Sequence, residues 1–183
     1  MLMKIQQHKI AIFDLDGTLI ETDAANSAAY CAAMRKYGVD MFGIYGRVTA
    51  AAVRQILGNN RKSDVEAIVD EKVAVYCHEL WRTRLGPAAN DLECVMVDRA
   101  VFKKVVLLTD SSERRAMETL KYHSLAGCFD EIVCNAGQGN KYANYFKVFD
   151  SDPAACVVWE NEAGQIKSAI AAGVKMTNIR KVG

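Results

Sequence analysis

A parallel α/β sheet, with a block of helices inserted after its first strand, is the fold class predicted by this sequence of 183 residues. Short apolar runs bounded by turn residues recur near residues 9–14, 104–109, 131–134 and 155–160, and such runs read as strands buried on both faces. Helical patterns follow the later runs, an alternation that builds parallel sheets. Between the first run and the second, the pattern stays helical until about residue 87. The expected division is therefore an α/β core of residues 1–20 with 88–183, and a helical insertion of residues 21–87.

The first strand carries the chemistry. Lys9 to Phe13 run straight into Asp14 and Asp16, and then into Gly17-Thr18. Residues two apart on an extended chain point the same way, which brings the two carboxylates close together as the strand ends. Open α/β sheets bind ligands at that carboxyl end, and Gly17 lets the chain turn sharply there. Crowded carboxylates need a cation or a shared proton, so the pair predicts a divalent metal with acid/base or nucleophilic carboxylate chemistry. The plainer alternative is a solvated acidic turn. A calcium loop of the EF-hand kind is excluded, because Leu19 and Ile20 stand where further oxygen ligands are required.

In the insertion, Asp23 is placed to cap a helix over Ala24 to Lys36, which Gly38 ends. Thr49 opens a second helix with Ala52, Val53, Ile56 and Leu57 on one face, stopped by Gly58. Ser63 and Glu66 form a capping box for a third. Its apolar stripe takes in Val65, Ile68, Val69, Val73, Tyr76, Leu80 and Trp81, a packing face. Arg47 and Arg54 are the cations here that are candidates for binding a substrate's anionic groups, with ordinary surface arginines as the alternative.

Gly86-Pro87 marks the return to the core, and a weaker helix covers Asp91 to Phe102. The second strand delivers Thr109-Asp110-Ser111-Ser112 to the start of a helix running to about His123. Hydroxyls and unpaired N–H groups at a helix start make an anion site, for which Ser111 is a candidate; simple capping by Ser111 or Ser112 is the alternative. After the third strand, a loop from Asn135 to Asn140 leads to Lys141, and Tyr142, Tyr145, Phe146 and Phe149 form the apolar side of the next helix. A lysine is mildly unfavourable at a helix start, which raises the question of what Lys141 faces. The fourth strand ends in Glu160-Asn161-Glu162, a helix follows with Ile166, Ala169 and Ile170 inward, and Val174 to Ile179 form an edge strand.

Composition narrows the function classes. Hydrophobic residues make up 51% and charged residues 25%, a globular balance, and the net charge of +1 gives no electrostatic case for a nucleic-acid partner. The six cysteines show neither metal-ligand spacing nor a pairing rhythm, so reduced thiols in a cytoplasmic protein are expected. No stretch has the pattern of a signal peptide or a membrane span.

The string Phe13-Asp14-Leu15-Asp16-Gly17-Thr18-Leu19 closely resembles the first motif of the haloacid dehalogenase-like (HAD) superfamily of phosphohydrolases. The resemblance implies a Rossmann-like core with a helical cap inserted between the first and second motifs. It also implies Asp14 as nucleophile and Asp16 as general acid/base; the dehalogenase branch lacks the second Asp, which favours phosphoryl transfer. Thr109 matches the second motif, which holds the transferring phosphoryl group, although Asp110 stands where Asn is common. Lys141 matches the third motif, whose lysine pairs with the nucleophile and the phosphate, with Tyr142 and Asn144 in place of its usual prolines. Glu160 and Asn161 match the fourth, whose metal-binding Asp is here Asn161, and whose Ser is Glu162.

A magnesium cofactor is thus implied, held by Asp14, the main-chain carbonyl of Asp16 and Asn161, with Glu160 or Glu162 able to act directly or through water. The missing charge at Asn161 implies weaker magnesium affinity. The expected partner is a small phosphorylated metabolite. The expected activity is phosphoric monoester hydrolysis. A phosphoglucomutase-like phosphotransferase and a weakened or inactive phosphate-binding or interaction module stand as alternatives.

Overall fold

The computed structural model describes residues 9–39, 48–58, 61–134 and 139–183. The chain divides into two compact units, one of residues 1–20 with 85–183 and the other of residues 21–84.

The larger unit is built on a sheet of five strands, ordered β5-β4-β1-β6-β7. These are β1 (Lys9–Phe13), β4 (Phe102–Leu108), β5 (Glu131–Val133), β6 (Cys156–Glu160) and β7 (Ile179–Lys181). Every pairing is parallel. Alternate side chains of each central strand enter different cores, as a period of two requires. Ala11, Phe13, Val105, Leu107, Val157 and Trp159 share one cluster, whereas Ile12, Val106, Leu108, Cys156 and Val158 share the other. Phe13 stacks on Trp159 at 4.3 Å between ring centroids. Helices α4 (Ala89–Val97), α5 (Glu113–Tyr122), α6 (Lys141–Phe149) and α7 (Ala163–Ala171) connect the strands. The chain moves outward from β1 to β4 and β5, then returns to the opposite side of β1 for β6 and β7. That reversal opens a crevice beyond the carboxyl ends of β1 and β6, where folds of this kind place their ligands.

The smaller unit consists of α1 (Asp23–Lys36), α2 (Ala50–Leu57), α3 (Lys62–Tyr76) and a 3₁₀ segment, Cys77–Arg82. Its cores combine Tyr30, Ala33, Met34, Val53, Val65 and Ile68 with Ala25, Ala29, Tyr76 and Leu80. The chain leaves and re-enters through two paired short strands, β2 (Ile20–Glu21) and β3 (Arg84–Leu85).

Several local expectations are corrected. Leu85 to Pro87 belong with the sheet unit, because Gly86 N–H and Ala88 N–H donate to the carbonyls of Leu19 and Thr18 at 2.7 and 3.0 Å. Asp23 is the first residue of α1, and its N-cap is Thr22. The Ser63/Glu66 capping box does not form: α3 begins at Lys62, and Arg61 bonds Asp64 across the start. Trp81 is 63% exposed, because the α-helix gives way to a 3₁₀ segment at Cys77 and the 3.6-residue stripe loses register there. Ile56 and Ile170 are likewise exposed. The edge strand begins at Ile179, after a 3₁₀ turn over Met176–Asn178. Thr49 caps α2 as expected, accepting from Ala52 N–H at 3.2 Å.

Candidate active site

β1 hands its last buried residue, Phe13, directly to Asp14, whose N–H bonds the Trp159 carbonyl of β6 at 3.1 Å. Asp14 is thereby fixed at the sheet's carboxyl edge and is itself buried. The turn that follows needs Gly17, which has a φ of +74°, and a Cβ there would lie 2.3 Å from the side-chain amide nitrogen of Asn161. Leu15 O accepts from Leu19 N–H and Ile20 N–H at 3.0 Å each, which closes the loop beneath the two carboxylates.

Lys141 arrives from 127 positions away and donates to Asp14 Oδ1 at 2.7 Å. The same ammonium lies 3.0 Å from Glu160 Oε2. The question raised by a lysine at a helix start is answered here: α6 begins with a buried cation because two buried carboxylates face it. Asn140 caps that helix, its Oδ1 accepting from Tyr142 N–H and Ala143 N–H at 3.0 and 3.1 Å. Burial pulls the Lys141 ammonium toward neutrality, but Asp14 and Glu160 more than offset this and hold its pKa above the ordinary lysine value. Burial pushes Asp14 up to about 7, with Lys141 opposing and the Glu160 and Asp16 charges adding to the rise. A second cation beside Asp14 would relieve that burden.

Glu160 is fully buried, and each of its oxygens is already engaged. Oε1 accepts from Asn161 N–H and Glu162 N–H, both at 3.1 Å. Oε2 faces Lys141 and accepts from the Tyr142 hydroxyl at 2.8 Å. With both oxygens so engaged, Glu160 stands behind Lys141 in this structure.

Asp16 is engaged from α5 and from the loop before it. The Arg115 guanidinium bonds Asp16 Oδ1, and the Ser111 hydroxyl donates to Asp16 Oδ2 at 2.5 Å. Arg115 also donates to the Ser111 oxygen at 2.8 Å, which closes the triangle. Ser111, the candidate for binding substrate, donates its hydroxyl to Asp16 in this structure, and its N–H donates to Thr109 Oγ1 at 3.1 Å. Thr109 is buried, its N–H bonded to the Val133 carbonyl. Asp110 turns toward α7, where Gln165 donates to it at 2.9 Å. Burial and the charges of Glu160, Glu162 and Asp16 raise its pKa against the pull of Lys141.

Asn161 lies over the Gly17 turn, and its Oδ1 accepts from the Thr18 hydroxyl at 3.2 Å. The donors expected for a hard cation are Asp14, the Asp16 carbonyl and the Asn161 amide oxygen. No group of three or more His, Cys, Asp or Glu side chains suited to a metal occurs among the described residues. The set fits magnesium in kind, since all its donors are oxygens, but it supplies little charge. Arg47 lies outside the described residues. Arg54 lies on α2 of the helical unit, lining a pocket of about 340 Å³ with Val65, Glu66, Val69 and Asp70. Its immediate surroundings there are acidic.

Arg115 and the Tyr142 hydroxyl are the site residues that sequence reasoning missed. Arg115 lies in the run Glu113-Arg114-Arg115 with nothing local to separate it from its neighbour. Tyr142 carries a helical apolar spacing that conceals its polar end.

Comparison with known proteins bears on the whole chain. A model described as haloacid dehalogenase-like hydrolase matches residues 11–179. An uncharacterized protein of Haemophilus influenzae is 22% identical over 179 residues, spanning 92% of this chain and 90% of its own length. A predicted phosphoglycolate phosphatase from Haemophilus somnus has a similar structure, with a TM-score of 0.72 at 15% identity over 93% of this chain and 84% of that one. CbbY from Rhodobacter sphaeroides, solved in complex with phosphate, gives a TM-score of 0.69 at 19% identity over 92% and 84%. These structures share the fold. With the family match spanning nearly its full length and the acidic turn, Thr109 and Lys141 on one sheet edge, the chain belongs to the haloacid dehalogenase-like hydrolase family.

Proposed function

We propose that the protein is a magnesium-dependent phosphohydrolase acting on a small phosphorylated metabolite through an aspartyl-phosphate on Asp14. The observation that carries this reading is the buried contact of Lys141 with Asp14 Oδ1 at 2.7 Å, set beside Glu160 at the carboxyl edge of the sheet. An ammonium in that place neutralises the nucleophile's surroundings and faces the position of an incoming phosphoryl oxygen, where fixed charge is most effective.

In this reading Asp14 attacks phosphorus in line, and the bond from phosphorus to the ester oxygen breaks. Asp16 gives a proton to the departing oxygen, then takes one from the water that hydrolyses the aspartyl-phosphate. The Thr109 hydroxyl and Lys141 hold the phosphoryl oxygens. Magnesium, bound by Asp14, the Asp16 carbonyl and Asn161, would supply positive charge opposite the equatorial oxygens. The helical unit is assigned to substrate choice, with Arg47 and Arg54 as its candidate contacts for anionic groups.

A second reading, a phosphate-binding module with little turnover, is favoured by Asn161 in the metal position and by the engagement of Asp16 with Arg115. Phosphate release from a panel of phosphorylated metabolites, with magnesium varied and Asp14→Asn as control, separates the two. Release that depends on Asp14 supports hydrolysis; none above the variant across the panel favours the binding module. Transfer to a second hydroxyl in place of water, the phosphoglucomutase-like outcome, is seen in the same assay as a phosphorylated product without free phosphate.

A further inference from the structure

We infer that Tyr142 is a positioning residue whose hydroxyl holds Glu160 so that Lys141 stays on Asp14. The inference rests on the phosphohydrolase reading and extends it to a residue that this reading leaves without a task. Tyr142 is fully buried, with its ring in the cluster of Ile12, Val106 and Val158. Its hydroxyl donates to Glu160 Oε2 at 2.8 Å, and the Lys141 ammonium lies over its ring, 5.3 Å from the centroid.

That oxygen is the one Lys141 also contacts, at 3.0 Å, while the ammonium donates to Asp14 at 2.7 Å. Oε2 therefore divides its acceptor capacity between a neutral donor and a cation. Glu160 cannot turn to offer its other oxygen, because Oε1 is held by two main-chain N–H groups at 3.1 Å. Burial first, and then the Glu160 and Asp14 charges, keep the phenol protonated well above its ordinary range, so it remains a donor. Without the hydroxyl, Oε2 would have Lys141 alone. The ammonium would then be drawn toward Glu160, and its contact with Asp14 would lengthen.

The main chain of the same residue is also in use, since Tyr142 N–H donates to the Asn140 cap. A proline, the residue that the third motif usually carries at this place, could supply neither the N–H nor the hydroxyl. The departure from the motif is thus a substitution of one means of fixing the lysine for another.

Tyr142→Phe keeps the ring and its packing while removing the hydroxyl's bond to Glu160. With p-nitrophenyl phosphate and magnesium, kcat is expected to fall about tenfold with KM within about twofold, the scale of one hydrogen bond to a charged group. In a Glu160→Gln background the same change is expected to cost less than about twofold, since its effect passes through that carboxylate. In crystals of Tyr142→Phe, the Lys141–Asp14 contact should open beyond about 3.5 Å, past hydrogen-bond range. Undiminished kcat, an equal loss in both backgrounds, or an unchanged Lys141–Asp14 contact would overturn the inference. A wild-type chain without Asp14-dependent turnover defeats the hydrolase reading instead, and the crystallographic distance still decides the role of Tyr142.

Discussion

Arg115, in the first turn of α5, closes on the carboxylate of Asp16, and both side chains are largely buried, at 13% and 15% exposure. The pair joins residues 99 positions apart and binds the loop after β1 to the helix after β4. Removing one partner of such a pair leaves a largely buried charge behind, which costs more than the pair contributes. Arg115→Met is therefore expected to lower stability by about 2 kcal/mol. The double variant with Asp16→Asn should recover much of that loss. Urea denaturation of the four proteins measures the coupling, and strictly additive losses would show that the two side chains act independently.

Asp14 governs a pH dependence whose sign follows from its direction of shift. Its folded-state value is raised to about 7, whereas an unfolded carboxylate titrates near 4. The folded chain thus retains a proton that the unfolded chain has lost. The contribution to stability is full below about pH 4 and disappears as the pH rises through about 7. Lys141, held above its ordinary value, does not titrate in this window. In metal-free buffer the wild-type Tm is expected to fall from pH 5 to pH 8 by more than that of Asp14→Asn, with the variant the more stable at pH 8. Parallel pH profiles for the two proteins would contradict this.

Lys141→Met should be the most damaging single change in the sheet unit. It strands two buried carboxylates, Asp14 and Glu160, that share one ammonium. A cost of about 3–5 kcal/mol is expected from denaturant unfolding, and activity should fall on the order of 10²–10³-fold. Lys141→Arg should not restore activity, because a planar guanidinium cannot occupy the compact place of an ammonium at 2% exposure.

Asn161→Asp tests the proposed magnesium site directly. The side chain already lies over Gly17 and accepts from Thr18, so a carboxylate of the same shape fits there. Magnesium affinity is expected to rise about 10- to 100-fold, measured by calorimetry or by the magnesium-dependent shift in Tm. An unchanged affinity would show that Asn161 contributes nothing to the cation.

What the sequence disclosed was local or carried by a motif. The strand runs are legible because continuous apolar segments have few alternatives, and the carboxylates follow because β1 places them at its end. The Lys141–Asp14 contact was expected from the motif resemblance alone, since no periodicity links residues 127 positions apart. The means of support were not legible. Ser111 looks like an anion binder in an unpaired loop, and only the approach of Arg115 turns its hydroxyl to Asp16. Nor does spacing disclose that two N–H groups, a phenol and an ammonium surround the Glu160 oxygens. Such contacts depend on how α5 and α6 dock on the sheet, which is a property of packing rather than of spacing.

The return of the chain at Gly86 has a consequence for redesign. A Cβ at Gly86 would meet the Thr18 carbonyl at 2.5 Å, and the hydrogen bonds from Gly86 and Ala88 seal this segment to Leu19 and Thr18. Residues 18–20 and 85–88 therefore form a socket into which a foreign insert could be grafted at Glu21 and Arg84, leaving the acidic loop in its native setting. Cutting one step further in, at Gly86, would unseat the very turn that presents Asp16.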